Sequence, residues 1–235
     1  MLSDSNDRLA VLIDADNTSA TIADALFDEV ARLGEASVRR IYGDYANPHV
    51  KAWYNEINRH SLIWQQEHAN TKGKNASDIA MVIDAMDLLH SGRLAGFVLV
   101  SSDSDFTRLA ARLREHGVVV YGMGKKNTPE SFRNACNRFI YTENLGGGVD
   151  DRTAAGTARK KTPQRATQRI IQAVEQLDPP DGWVDLGPLG AQLYKLFPDF
   201  DTRDYGYAKL SGLVEDNKKL KTRRTAEGRL QVSIA

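Results

Sequence analysis

The strongest constraint on the fold is an alternation, sustained over residues 8–145, of short apolar runs with amphipathic segments of helix length. "RLAVLID" (8–14) reads as a buried strand. "TSATIADALFDEVARLG" follows as a helix with a Thr/Ser start and a Gly stop. "SVRRIYGDY" is a strand, "NPHVKAWYNEINRH" a helix with Pro48 in its first turn, and "SLIWQQ" a strand. After the polar loop "EHANTKGKN" come the helix "ASDIAMVIDAMDLLHSG", the strand "AGFVLVSS", the helix "SDFTRLAARLREHG" and the strand "VVVYGMG". A short helix near "PESFRNAC" and a strand-like "RFIYTE" close the series. Short connections and strands apolar on both sides imply a parallel sheet with helices on both faces. Such sheets bind ligands beyond the carboxyl ends of their strands, which is where "IDAD" and "VSSDSD" fall.

The alternation stops at residues 146–162, "GGGVDDRTAAGTARKKT", whose glycines, small polar residues and basic cluster predict a flexible linker. Residues 163–235 then predict three helices, the first with apolar positions 170, 171, 174 and 177, and a basic hairpin turning at Glu227-Gly228. This second module is winged-helix-like and near the lower size limit for independent folding. The domain division is therefore 1–145, linker 146–162, and 163–235. At 235 residues, 41% hydrophobic and 26% charged, the chain is globular in composition. Apolar runs such as "GFVLV" are strand-sized and far short of a ~20-residue membrane span, and no basic-then-apolar leader opens the sequence. The lone Cys136 forms no internal disulfide, in keeping with a reducing, cytoplasmic setting. The net charge of zero hides a division. Residues 1–150 hold 16 Lys/Arg against 20 Asp/Glu, a net of −4, and residues 151–235 hold 15 against 11, a net of +4. An acidic front half suits a carboxylate cluster that needs cations, and a basic rear half suits a phosphate-bearing partner.

Four acids are placed to carry chemistry. Asp14 ends the first strand, Asp103 follows "GFVLV", Asp105 opens the next helix, and Asp78 lies in the first turn of the helix beginning at 76. At ~100° per residue that helix is expected to bury Ile79, Val82, Ile83, Met86 and Leu89, with Asp78 at the stripe's edge and Asp84 pointing to solvent. Carboxylates gathered at one sheet edge repel one another unless cations neutralise them. Mg²⁺ or Mn²⁺, hard and oxygen-seeking, suits such a site, with one ion or two. Two of the four, and two neighbours, also have a plainer reading: Asp105 as an N-cap, Asp78 as a first-turn acid favoured by the helix dipole, Asp16 as a cap or supporting group, and Asn17 as a turn residue.

"DADNT" by itself fits two chemistries. It resembles the haloacid-dehalogenase-type phosphotransferases, which implies Asp14 as nucleophile and Asp16 as acid/base. That family also needs a hydroxyl at a second strand end and a lysine ahead of a late acidic motif. "IYGDY" and "IWQQ" lack the hydroxyl, and no lysine lies in 75–102. Taken together, "VLIDADN", "KNASDIAMVIDAM" and "VLVSSDSDFTRLAARLREHGVVVYGMG" instead resemble the NYN-domain family, a branch of the PIN-like metal-dependent ribonucleases, over roughly residues 8–145. The resemblance implies a Rossmann-like PIN fold and an acidic Mg²⁺ or Mn²⁺ site for RNA cleavage. By motif position, Asp14 matches the first-strand acid, Asp78 the helix acid, Asp103 and Asp105 the pair in Ser-x-Asp-Ser-Asp-Phe, and Asn17 the Asn after the first acid. Ser102 stands where many members have Gly, which is expected to be tolerated or to narrow the entrance.

The rear module resembles the OST-HTH (LOTUS) domain in its Gly-Trp entry and its "DFDTRDYGYAKLSGLV" core, over about residues 165–235. This implies RNA binding, single-stranded or structured and including guanine-rich RNA, and contacts with protein partners. Self-association into a homo-oligomer stays open. Arg203, Lys209, Lys218, Lys219, Lys221, Arg223 and Arg224 are the expected phosphate-contacting residues of this module. Tyr205 and Tyr207 suit core packing better than base stacking. In the front domain Lys72, Lys74, Lys125 and Lys126 lie in loops near the sheet's carboxyl edge, as RNA-steering residues or as solvated loop charge. The functional expectation is a metal-dependent ribonuclease with a separate RNA-binding module. The contrasting reading is an RNA-binding scaffold that does not cut.

Overall fold

The computed structural model describes residues 8–44, 47–65, 76–146 and 163–235, and divides into two compact units whose boundary along the sequence falls between Gly146 and Gly147. Lys72, Lys74 and nearly all of the expected linker lie outside the described residues. The first unit runs β1 (Arg8–Asp14), α1 (Ala23–Leu33), β2 (Glu35–Tyr42), α2 (Pro48–Lys51), α3 (Tyr54–His60), β3 (Ile63–Gln65), α4 (Ala76–His90), β4 (Gly96–Val100), α5 (Thr107–Glu115), β5 (Val119–Gly124), α6 (Glu130–Ala135) and β6 (Arg138–Tyr141). Its sheet has the order β3-β2-β1-β4-β5-β6, and every pairing is parallel. The chain builds outward from β1 through β2 to β3, then returns to β1's other side to lay down β4. That reversal opens a crevice beyond the carboxyl ends of β1 and β4, where sheets of this order bind ligands.

Strand periodicity explains how one short strand serves two cores. Leu9, Val11 and Ile13 of β1 face one side and pack with Leu26 and Val30 of α1 and with Trp53. Ala10 and Leu12 face the other and pack with Met81 and Ala85 of α4, and with Phe106, Leu109 and Leu113 around α5. Both strands at the crevice are buried along nearly their whole length, so their ends rigidly support the loops that leave them. Gly124 ends β5, and a Cβ there would collide with the Ser101 carbonyl oxygen, so the loop after β4 sits directly against it.

Two elements differ from the sequence expectation. The helix read over 47–60 is broken into α2 and α3, and the break is tightened by Trp53 N donating to the Val50 carbonyl at 3.0 Å. This turns the Trp53 indole into the core, where Nε1 donates to the Thr18 carbonyl at 3.1 Å. The second difference is the buried face of α4. Met81 and Ala85 are fully buried, whereas Ile79 and Ile83 are 57% and 53% exposed. Asp84 is turned toward the sheet instead of solvent: it accepts the Tyr42 hydroxyl at 2.8 Å and pairs with Arg40 at 2.8 Å. A helix that is apolar on nearly every side carries too little directional signal for its period to choose a face. The polar pairing with β2 chooses it.

The second unit contains α7 (Pro163–Leu177), β7 (Val184–Asp185), α8 (Leu186–Leu196), α9 (Leu210–Glu215), β8 (Leu220–Arg224) and β9 (Leu230–Ile234), with β9 between β7 and β8 in an antiparallel sheet. Ile170 and Val174 of α7, Leu189 and Leu193 of α8, and Leu213 and Val214 of α9 close on Val232 of the hairpin. Gly228 makes the β8–β9 turn at φ +78°, a conformation that favours glycine.

Candidate active site

Asp14 is the last residue of β1, and its side chain is almost fully buried. Its Oδ2 accepts the Ser101 hydroxyl at 2.6 Å and Asn17 Nδ2 at 2.8 Å, and its Oδ1 accepts the Asn17 amide at 3.2 Å. Burial pushes the Asp14 carboxyl above its usual range against the pull of these hydrogen bonds, and the charge of Asp16 adds to the rise. Ser101 is buried just past β4, and its Oγ also accepts the Asp103 amide at 3.0 Å. One hydroxyl therefore joins the ends of the two crevice strands. Sequence reasoning missed Ser101 and singled out its neighbour. The available signal was register: Ile13 pairs with Val100, so the residues one step beyond them, Asp14 and Ser101, come level.

Asp103 caps the single 3₁₀ turn over Ser104–Phe106, accepting the Asp105 amide on Oδ1 at 2.9 Å. The N-cap considered for Asp105 thus belongs to Asp103, and Asp105 is exposed within that turn. Asp78 stands in the first turn of α4 and is half-buried. Burial, then the charges of Asp14, Asp103, Asp16 and Asp105, push its carboxyl up to about 6. The structure therefore places Asp78 within the negative field of Asp14, Asp103 and Asp105. Among the described residues no Lys or Arg pairs with any of the four.

Asp16 has another task. Its Oδ1 accepts Asn47 Nδ2 at 3.1 Å, and its Oδ2 accepts the Asp44 amide and the Ser77 hydroxyl, each at 3.3 Å. It ties the end of β1 to the loop after β2 and to the residue preceding Asp78. Ser102 Oγ accepts the Lys125 amide at 2.9 Å, and Glu143 accepts the Lys126 amide at 3.0 Å. Those bonds hold the loop after β5 at the carboxyl edge while both lysine side chains stay exposed. Among the described residues, the group of acids and histidines whose ligand atoms all lie within 4.8 Å of one another is Asp24, Glu56 and His60; no three of Asp14, Asp78, Asp103 and Asp105 come that close together. Arg59 already forks onto Asp24 with two 2.9 Å bonds, so this group has its cation. The buried Cys136 thiol is pushed up to about 12 by burial, which makes it inert as a nucleophile.

The basic residues of the second unit divide into committed and free. Arg203 chelates the buried Asp201, with its shortest contact at 2.7 Å. Arg223 stacks over Trp183 at 4.3 Å while pairing with Asp181 at 3.0 Å, and Arg224 pairs with Glu215 at 3.1 Å. Lys209, Lys218, Lys219 and Lys221 are exposed, with no acid partner among the described residues. Tyr205 is buried in the core, and Tyr207 donates its hydroxyl to Asp216 at 3.1 Å.

A family model of the NYN domain matches residues 8–144, and one of the OST-HTH/LOTUS domain matches residues 159–232. A crystal structure of a protein of unknown function from Vibrio parahaemolyticus covers 60% of this chain and 96% of its own, at 18% identity and a TM-score of 0.49. A solution structure of an uncharacterized protein from Nitrosomonas europaea covers 39% of this chain and 90% of its own, at 32% identity and a TM-score of 0.30. No curated protein matches the chain. Among the described residues no helix is long and apolar enough to cross a membrane. NYN domains are in general nucleases, PIN-like nucleases typically use divalent metals, and OST-HTH/LOTUS domains bind RNA. With the first match spanning more than half of its length, the chain belongs to the NYN-domain family and carries an OST-HTH/LOTUS domain behind it.

Proposed function

We propose that this chain is a divalent-metal-dependent ribonuclease working in the cytoplasm, with RNA recruited by its OST-HTH/LOTUS unit. One observation carries the reading: Ser101 joins Asp14 to Asp103, Asp78 and Asp105 line one groove, the charges of the other three acids act on Asp78, and among the described residues no fixed cation neutralises the four. The donor set fits Mg²⁺ or Mn²⁺, since every candidate ligand is a hard oxygen and the cluster's charge repels itself without an ion. Asp14, Asp78, Asp103 and Asp105 would hold the metal, which when bound supplies charge stabilisation at the phosphodiester and a water of lowered pKa.

The chain's own groups do the rest. Ser101 and Asn17 fix the Asp14 carboxylate so that its free lone pairs point in one direction. The Ser101 and Asp105 contacts fix the backbone and carboxylate of Asp103 just past β4. The Asp16–Ser77 bond sets where α4 begins, and so where Asp78 stands. Lys125 and Lys126 draw the RNA backbone toward the acidic edge, and Lys209, Lys218, Lys219 and Lys221 add non-specific phosphate affinity in the rear unit. A phosphotransferase chemistry at Asp14 is disfavoured, because both Asp16 oxygens already accept hydrogen bonds and make it a poor proton donor.

The test is incubation of single-stranded and structured RNA with Mn²⁺ or Mg²⁺, comparing the wild type with Asp14→Asn and Asp103→Asn. Cleavage should fall by at least about 100-fold in each variant while RNA affinity stays within about 2-fold. Equal behaviour of all three proteins would leave an RNA-binding protein that does not cut.

A further inference from the structure

Helix α4 leaves two large aliphatic side chains in water on the side next to the acids. Ile79 and Ile83, one turn apart, are 57% and 53% exposed, and among the described large aliphatics of this unit only Ile63, at 58%, is more so. Together with Val82, and over the buried Phe106, they line a shallow groove of about 250 Å³, and the rest of its lining is Asp78 and Asp105. The groove and the acid cluster therefore share two walls.

We infer that this groove seats one unpaired nucleobase beside the scissile phosphate. The inference rests on the ribonuclease reading and names the part of the substrate that the acids themselves do not hold. Three properties identify the occupant. Because Asp78 and Asp105 belong to both sites, a nucleotide with its phosphate at the acids has its own base, or its neighbour's, within reach of the groove. The lining is apolar, and its only charges are negative. It therefore rejects the phosphate backbone and accepts a flat, neutral group. The volume lies below that of pockets for drug-sized ligands and suits one base better than a peptide or helix. A stable dimer needs about 800 Å² from each partner, far more than two isoleucines provide. A base paired in a duplex keeps its faces stacked and cannot enter. An unpaired base can turn out onto the exposed aliphatic surface of Ile79 and Ile83.

The experiment uses the full chain and short single-stranded RNAs in Mn²⁺ carrying an abasic site at each position in turn. Affinity, cleavage rate and solution mass are measured for the wild type and Ile79→Ser/Ile83→Ser. Both positions are exposed, so a thermal melt should show the variant folded. In the wild type one abasic position flanking the cut should lower affinity and kcat/KM by about 10-fold, and pairing that nucleotide should do the same. In the variant the intact and abasic RNAs should become equivalent. If the wild type binds with this base dependence but does not cut, the groove stands and the nuclease reading falls. If the wild type cuts but every abasic position has equal effects in both proteins, the groove proposal falls and the nuclease reading stands. A wild-type dimer that the double substitution converts to monomer would assign the face to a second copy and overturn the proposal.

Discussion

At the residue scale the site depends on one hydroxyl. Ser101 donates to Asp14 and accepts from the Asp103 backbone, so removing it loosens two of the four acids at once. Ser101→Ala should weaken Mn²⁺ binding by about 10-fold or more, measured by calorimetry, and lower stability by about 1–2 kcal/mol in urea. Ser102→Ala, which frees only the Lys125 amide, should do much less to metal affinity. Asp78 gives a pH signature. Its folded-state carboxyl sits at about 6 against an ordinary value of 3.8. Between those values the folded protein holds a proton that the unfolded chain has released. Stability of the metal-free protein therefore falls as pH rises from about 4 to about 6, and the contribution is fully present only at the acid end. Thermal melts across that range should show the fall, and Asp78→Asn should flatten it. A wild-type profile no steeper than that of the variant would count against the mutual facing of the acids.

At the element scale the decisive piece is α4. Two polar clasps orient it: Ser77 onto Asp16 at its start, and Asp84 onto Arg40 and Tyr42 in its middle. Burial, followed by the hydrogen bond to Asp84, pushes the Tyr42 phenol far above its ordinary range, so it remains a donor at any working pH. Asp84→Leu would leave the Arg40 guanidinium partly buried without its acid. A cost of about 1–3 kcal/mol is expected by denaturant titration, together with reduced metal affinity from a helix free to rotate. Asp84→Asn keeps a hydrogen-bond acceptor and should retain much of both. The clasps also account for the exposed isoleucines: pairing Asp84 inward obliges Ile79 and Ile83, on the other side of the helix, to face out.

At the scale of the whole molecule the proposed function separates chemistry from capture. Its acidic half carries the carboxylates, and its basic half carries the lysines without acid partners. Replacing Lys209, Lys218, Lys219 and Lys221 with Ala should reduce the dependence of log affinity on log salt by about 0.7 for each single-strand phosphate no longer neutralised, while sparing metal binding. An unchanged slope would remove these lysines from the RNA surface. Arg203→Ala should act differently, by unfolding. Asp201 is buried and relies on that guanidinium, so the rear unit should lose about 2–3 kcal/mol.

By itself the sequence determined the layered α/β architecture of the front unit, the winged rear unit and the strand ends that carry acids. Apolar runs buried on both faces admit few arrangements, and acids placed directly after such strands have only the carboxyl edge to occupy. Periodicity also placed Asp14 and Asp103 on β1 and just past β4 without revealing that those strands are neighbours. Only the tertiary structure decided that adjacency, and with it the Ser101 bridge, because hydrogen bonds between residues 87 positions apart leave no local pattern. It also decided which face of α4 turns inward and which arginines of the rear unit are already committed. Those outcomes depend on which charged partners meet across the fold, and a helix apolar all round, or a run of cations, does not encode its partners locally.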